Sequence, residues 1–381
     1  MRDLLIKNAV IVDKQNVNLS EKNHILIRNG ILKEISPDIK ESTSMEVLDI
    51  KGNYLSQGWI DMHSHISVPG LTRIMGIDFG VDILDYGVKT GVSTMLDAGT
   101  FGADNIQKAI DFTESKDTTV YFLINAARTG LRPLKPELED LSKIDIDAAQ
   151  AIYEKNQSLI VGVKARASKS ATGKSGFKAI VKSKDLANAL ELPMIVHIGH
   201  APPQIEEVLG ILSEGDIITH CFHGKLSNAI VDENYKPRKE TLMARDRGVL
   251  FDIGHGSESF NYHVAEKLFE AGFLPDIIST DLHSKNKKGP VFSLPMTVDK
   301  FITLNDSILP WVDLVTSKPR EAFHLSGSTK LAIGEKADLV IFDLVPTQET
   351  YSDSDGNAIP IEKKLLMKTL IKGEKRINIH A

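Results

Sequence analysis

A single cysteine, Cys221, occurs in 381 residues, so no intramolecular disulfide can form and a reducing, intracellular setting is expected. No stretch approaches the roughly 18–20 uninterrupted apolar residues that a membrane-spanning helix requires. The opening Met1-Arg2-Asp3-Leu4-Leu5-Ile6-Lys7 places an acid early and leads into neither a long apolar run nor a small-residue cleavage site, so it does not read as a signal peptide. A large excess of charge of one sign is missing as well. The formal net charge of −6 is spread along the chain, which argues against a nucleic-acid or membrane-surface partner. Internal repeats, low-complexity tracts and flexible linkers are missing. What is there is an ordinary globular composition, 42% hydrophobic and 25% charged, long enough for one large α/β domain and a smaller accessory domain. A cytoplasmic protein handling a small molecule is expected; assembly into a homo-oligomer is compatible with these features but not specified by them.

The N-terminal part reads as short strands at 4–6, 9–12, 24–28, 31–35 and 46–50, with Asn29-Gly30 as a hairpin signal. From about 55 to 325 the texture becomes strands alternating with helix-length segments. Eight candidate strands stand at 58–62, 92–97, 119–126, 158–164, 193–197, 216–220, 248–253 and 276–280. Helical stretches fall between them at 104–115, 144–155, 184–189, 204–212, 237–245 and 263–271. Near-continuous apolar runs such as Leu159-Ile160-Val161-Gly162-Val163 suit parallel strands buried on both faces. The pattern predicts a (β/α)8 TIM barrel over 55–325, with a small β-sandwich domain assembled from both termini, 1–54 and 326–381.

Residues i and i+2 of a strand share a face, so His63 and His65, ending Gly58-Trp59-Ile60-Asp61-Met62-His63-Ser64-His65, present two imidazoles side by side. Such a pair can hold a divalent metal through nitrogen, although histidines at this spacing also occur in ordinary strands. Barrel chemistry gathers at the C-terminal strand ends. Those ends carry Lys164 on strand 4, His197 on strand 5, His220 on strand 6 and Asp281 on strand 8. Each alone reads as a common core or surface residue; six compatible groups at successive strand ends point to a metal site.

At these residues the chain resembles the amidohydrolase superfamily, in its dihydroorotase-like and deacetylase-like branch. The resemblance covers essentially the whole chain. It is carried by the split terminal strand domain, the His63-Ser64-His65 segment, and Ser317-Lys318-Pro319-Arg320-Glu321-Ala322-Phe323 leading to Gly334-Glu335-Lys336-Ala337-Asp338-Leu339-Val340. It implies a hydrolase with two Zn2+ ions per subunit. His63, His65 and Asp281 would hold the more buried ion, His197 and His220 the more exposed one, and Lys164 would bridge them as a CO2-derived carbamate. An ammonium beside two cations is repelled, which favours the neutral amine that adds carbon dioxide; a lysine capping the barrel mouth as a simple cation is the alternative. A metal-bridging hydroxide would attack the carbonyl, with Asp281 as general base and then acid, or as a ligand only.

Arg166, two residues past Lys164, is a candidate for oxyanion stabilisation or a substrate carboxylate, against a rim salt bridge. Arg128 is a weaker candidate of the same kind. His200 and His223 lie in loops after strands 5 and 6 and are candidate substrate contacts. Asp61 is a candidate partner for a histidine ligand, and Cys221 a packing residue. Gly254-His255-Gly256-Ser257 reads as a flexible, substrate-facing loop without the lysine and spacing of a phosphate loop. Dihydroorotases follow H-x-H two residues later with a carboxylate-gripping arginine; Ser67 stands there. Superfamily deaminases lack the lysine and carry a glutamate just after the strand-5 histidine, where this chain has Ile198-Gly199-His200. The expectation is therefore a deacetylase or deacylase acting on an amide or ester of a small carboxylate-bearing substrate. The alternatives are a cyclic amidohydrolase of dihydroorotase or hydantoinase type, or a catalytically silent scaffold.

Overall fold

The computed structural model describes residues 3–13, 21–74, 77–132, 135–305 and 307–379; Met1 and Arg2 of the opening segment lie outside them. The N-terminal strands are β1 (Leu4–Ile11), β2 (Asn23–Arg28), β3 (Ile31–Ser36), β4 (Glu46–Asp49) and β5 (Tyr54–Gln57). Next come β6 (Trp59–Ser64), the short pair β7 (Arg73–Ile74) and β8 (Ile77–Asp78), then β9 (Val92–Ala98) and β10 (Thr119–Asn125). They are followed by β11 (Ile160–Ala167), β12 (Met194–Ile198), β13 (Ile217–Thr219) and β14 (Leu250–Asp252). The C-terminal part adds β15 (Asp338–Pro346), β16 (Thr350–Ser352), β17 (Ala358–Pro360), β18 (Lys363–Lys372) and β19 (Lys375–Asn378).

Both chain ends build one sheet, in the order β19-β18-β15-β5-β1-β2-β3, with β4 also paired to β1. The two strands expected at 4–6 and 9–12 are one, β1, whose pairing with β2 shifts register between Ile6 and Ala9. Asn8 takes a φ of 58° there, so a bulge rather than a turn separates the two apolar runs. Asn29 and Gly30 both have positive φ, as a tight hairpin demands.

The middle of the chain forms a seven-stranded parallel sheet, β14-β13-β12-β11-β10-β9-β6. The segment expected as an eighth strand, 276–280, is not a strand. It forms isolated parallel bridges instead, Asp252↔Ile277 at one sheet edge and Ser64↔Leu282 at the other, so the sheet curls until both edges meet it. A continuous ladder fails here because Thr280 N donates to the Asp61 side chain (3.2 Å) instead of a neighbouring backbone. One apolar cluster, including Ile60, Leu96, Leu123, Ile195 and Ile217, packs inside the curl, and a larger one lies between the sheet and its helices.

Helices Ile106–Thr113, Ile146–Lys155, Ile205–Ile211, Lys239–Asp246 and Tyr262–Glu270 fall where helix-length segments are expected. Helix Phe177–Ala189 begins earlier than predicted, because its buried stripe of Ala179, Ile180, Ser183, Leu186 and Ala187 starts with small or isolated apolar residues. Helices Leu294–Asn305, Leu309–Asp313 and Ser317–Ala322 were not anticipated. Among the described residues no helix is long and apolar enough to cross a membrane.

Candidate metal centre and active site

The C-terminal ends of the parallel strands open into a cavity of about 330 Å3, lined in part by His63, His65, Lys164, His197 and Asp281. Asp281 Oδ1 lies 3.1 Å from His65 Nε2 and 3.3 Å from His63 Nε2. The ligand atoms of these three residues lie within 4.8 Å of one another. Lys164 Nζ stands 2.8 Å from His63 Nε2. His220 completes the group, its ring 4.2 Å from that of His197 and 5.0 Å from that of His63, with Nε2 3.9 Å from Asp281 Oδ2. The structure thus brings together all six groups read from the strand ends.

Three of the rings are aimed by what holds their other nitrogen. Thr219 Oγ1 donates to Asp252 Oδ2 (2.6 Å), so it accepts from His63 Nδ1 (2.9 Å). His220 Nδ1 donates to Gly254 O at 2.5 Å. His65 Nδ1 pairs with Thr100 Oγ1 at 2.8 Å, and Thr100 N is held by Asp97 (2.9 Å). The protons on His63 and His220 therefore sit on Nδ1, and the bare Nε2 atoms face the cavity floor.

Electrostatics favour neutral imidazoles. Burial, then the neighbouring Lys164 charge, holds His63 well below the ordinary histidine range. Burial lowers His197 strongly and brings His220 to about 4. Burial also pulls Lys164 down to about 8, against the attraction of Asp281 and Asp252. For Asp281 burial acts upward, but its close neighbours His63, His65, which hydrogen-bonds it, and His220 outweigh burial and hold the carboxyl well below its usual value. His220 Nε2 is buried with no hydrogen-bond partner. An orphaned buried nitrogen, bare Nε2 atoms and an ionised carboxylate form a donor set suited to divalent zinc. The residues fit the metal.

The remaining candidates divide. Arg166 lines the cavity, but its Nε and one terminal nitrogen are taken by Glu137 at 2.6 and 2.9 Å. His200 lines the cavity too. Arg128 is not among the lining residues and pairs with Asp104 (2.7 Å) and Asp145 (2.6 Å), because its strand-end position turns it toward the surface. His223 is buried outside the lining, its Nδ1 accepting from Lys225 N at 3.0 Å. Asp61 does not reach a histidine ring; it accepts from Thr280 Oγ1 (2.6 Å) and the His63 amide (3.4 Å), tying β6 to the Asp281 segment. Cys221 is buried in the apolar core. Ser67 donates to Asp78.

Sequence reasoning missed Thr219, Thr100, Asp252 and Glu137. Thr219 directly precedes His220, so a polar residue next to a candidate ligand was the available signal for it; Thr100, Asp252 and Glu137 adjoin none in the sequence. It also missed Phe79 and His283, whose rings stack 4.9 Å apart in the cavity wall.

No protein-family profile matches the chain. A curated deacetylase of Enterococcus faecalis is 36% identical over 376 residues, covering 98% of this chain and 98% of its own length. The chain belongs to the amidohydrolase superfamily. Among solved structures, an adenine deaminase aligns with this amidohydrolase at a TM-score of 0.89 and 33% identity, covering 99% of this chain and 100% of the other. A dihydroorotase aligns at a TM-score of 0.89 and 30% identity, covering 99% and 98%. This amidohydrolase is accordingly an enzyme, and a hydrolase by its relatives.

Proposed function

We propose that this amidohydrolase is a binuclear zinc deacylase that removes an acyl group from the amide or ester of a small carboxylate-bearing substrate, such as an N-acyl amino acid. The observation that carries this is the meeting of His63 Nε2, His65 Nε2, Asp281 Oδ1 and Lys164 Nζ on the floor of a cavity whose wall holds Arg166. Whole-length similarity to a curated deacetylase supports the acyl chemistry. The scaffold in this reading is a (β/α)8 barrel over 55–325, with the bridged segment as its eighth stave, and a discontinuous β-sandwich from 1–54 and 326–381. A cytoplasmic setting goes with it, on the strength of the single cysteine.

His63, His65 and Asp281 would hold one zinc, His197 and His220 the other, and Lys164 would lie between. When bound, zinc polarises a carbonyl and lowers the pKa of water. Lys164, brought to about 8 by burial, has an accessible neutral amine. Its Nζ adds carbon dioxide and releases one proton, giving a carbamate. Asp281 is ionised; it takes a proton from the attacking water and returns it to the leaving nitrogen or oxygen. Arg166, steadied by Glu137, keeps one terminal nitrogen for a substrate carboxylate. His200 adds a polar contact at the cavity wall. Arg128 and His223 receive no substrate role.

A cyclic amidohydrolase is the second reading, favoured by the dihydroorotase likeness. The test is expression with zinc and bicarbonate, metal analysis, and a screen of N-acetyl amino acids, acetyl esters of hydroxy acids, cyclic amides and adenine. Bound zinc with acetate release is expected. Zinc-free protein, or ring opening or ammonia release alone, would overturn the deacylase reading.

A further inference from the structure

Lys300 lies in helix Leu294–Asn305 with its side chain fully buried. Its nitrogen donates to Pro290 O (2.8 Å), Ser352 O (2.8 Å) and His255 Nε2 (2.6 Å), so three N–H groups meet three acceptors. His255 is also fully buried, and its Nδ1 lies 3.0 Å from Gly256 O. A carbonyl only accepts, so Nδ1 carries the ring proton and Nε2 is the bare nitrogen that takes the lysine's hydrogen. The lysine is fitted to a single tautomer of this histidine.

His255 is the centre of the loop after β14, and that loop touches the site on two sides. Just before it, Gly254 O accepts from His220 Nδ1 at 2.5 Å. Just after it, Gly256 lies so near Asp281 that an added Cβ would stand 2.9 Å from Oδ2. His255 N and Gly256 N donate to Ser279 O (3.1 Å) and Thr280 O (2.9 Å), the residues leading into Asp281. Ser257, Glu258 and Ser259 then line the cavity. On the far side the excursion from the terminal sheet, between β16 and β17, closes over the same loop. Ser354 Oγ donates toward His255 O (3.2 Å) and Gly256 O (3.1 Å), and Asn261 donates to Asp355 (2.7 Å). A loop that reads as flexible in the sequence is tied on both faces.

We propose that Lys300 is a positioning residue for the hydrolytic site. Through His255 it fixes the backbone of Gly254 and Gly256, and with it the aim of the His220 ring and the space beside Asp281. Its effect on rate rests on the deacylase reading above, whereas its effect on the loop does not. Without the ammonium, His255 Nε2 and two carbonyls lose their donor inside the core, and the loop is free to shift. A displacement of about 1 Å in a catalytic constellation costs on the order of 10²-fold in rate.

The test compares full-length, zinc-loaded wild type with Lys300→Met, His255→Phe and the double variant. His255→Phe keeps the ring packing against Phe260, now 4.9 Å between centroids. Hydrogen–deuterium exchange is read over 253–259 and over helix Phe177–Ala189 as a remote control, beside zinc content and kinetics. Expected for Lys300→Met are native circular dichroism, retained zinc, exchange in the loop faster by about tenfold or more with the control helix unchanged, and kcat lower by about tenfold or more with KM within about threefold. The double variant should be no worse than the worse single, since the two residues act as one unit. A folded Lys300→Met with loop exchange and kcat within about twofold of wild type would overturn the proposal, as would faster exchange spread evenly over the chain. If Lys300→Met does not fold, His255→Phe decides by the same measurements. If wild type turns over none of the screened compounds, the deacylase reading fails, while the exchange data still decide whether Lys300 positions the loop.

Discussion

Thr219 Oγ1 lies 2.9 Å from His63 Nδ1 while giving its own proton to Asp252, 2.6 Å away. A residue of β13 thereby fixes the ring at the end of β6 and leaves its Nε2 bare toward Asp281. Thr219→Val keeps the side-chain shape and removes both bonds. Zinc affinity should fall by about 10–100-fold, as when a ligand's orienting partner is lost. Chelator competition measures this. Unchanged affinity would mean that His63 is aimed by packing alone.

Arg166 and Glu137 form a two-bond pair whose carboxylate side chain is fully buried. Replacing Arg166 alone strands that carboxylate, a loss of about 3–5 kcal/mol. Stability and substrate recognition must therefore be separated. The double variant Arg166→Met/Glu137→Leu removes both charges and should unfold close to the wild-type midpoint. Its kcat/KM for a carboxylate-bearing ester should still fall by about tenfold or more, with an uncharged ester little affected. Equal loss on both esters would remove Arg166 from carboxylate recognition.

Gly254 has a φ of +46°, and a Cβ there would meet Thr219 Oγ1 at 2.2 Å, His220 Nδ1 at 3.0 Å and His63 Nδ1 at 3.1 Å. Gly254→Ala should therefore displace two histidine rings at once. Expected are bound zinc well below wild type and a lower melting temperature. Gly210→Ala is the control, because an added Cβ there meets nothing within 4 Å. Zinc content equal to wild type in Gly254→Ala would show that the loop yields without moving the rings.

Asp299, buried in helix Leu294–Asn305, is pushed up to about 8, by burial above all. An unfolded aspartate titrates near 4. Between these values the folded protein keeps a proton that the unfolded chain has released. Stability from this residue is therefore complete below about pH 4 and is lost as pH rises toward about 8. Asp299→Asn retains an oxygen to accept from Leu365 N, now 2.8 Å away, and carries no titrating proton. Urea midpoints at about pH 5 and about pH 8.5 should differ less in the variant than in wild type. An identical difference would sink the assignment.

Much of the candidate site was legible because the ligating residue types sit at strand ends, and strand ends can be found from apolar runs. His63, His65, His197 and His220 lie at or just past the ends of β6, β12 and β13, Lys164 lies within β11, and Asp281 follows the bridged segment 276–280. The orienting groups were not legible, because each acts across a long stretch of chain. Thr219 and His63 are 156 residues apart, and Thr280 and Asp61 are 219 apart. The same reasoning placed Arg128 near substrate, where the fold commits it to Asp104 and Asp145 instead. It also expected an ordinary eighth strand, where one side-chain acceptor, Asp61, replaced part of the ladder.

By itself the sequence determined the seven parallel strands β6 and β9–β14 and most of the helices between them, through the period at which apolar residues recur, and it placed histidine and lysine on those strands as candidate ligands. Only the tertiary structure decided which nitrogen of His63 and His220 carries the proton, and that Glu137 occupies most of Arg166. The structure also shows that the loop around His255 is tied down. Periodicity is a property of neighbouring residues, written in local order. The state of a buried proton or ion pair depends on the partner that folding delivers, and local order does not name that partner.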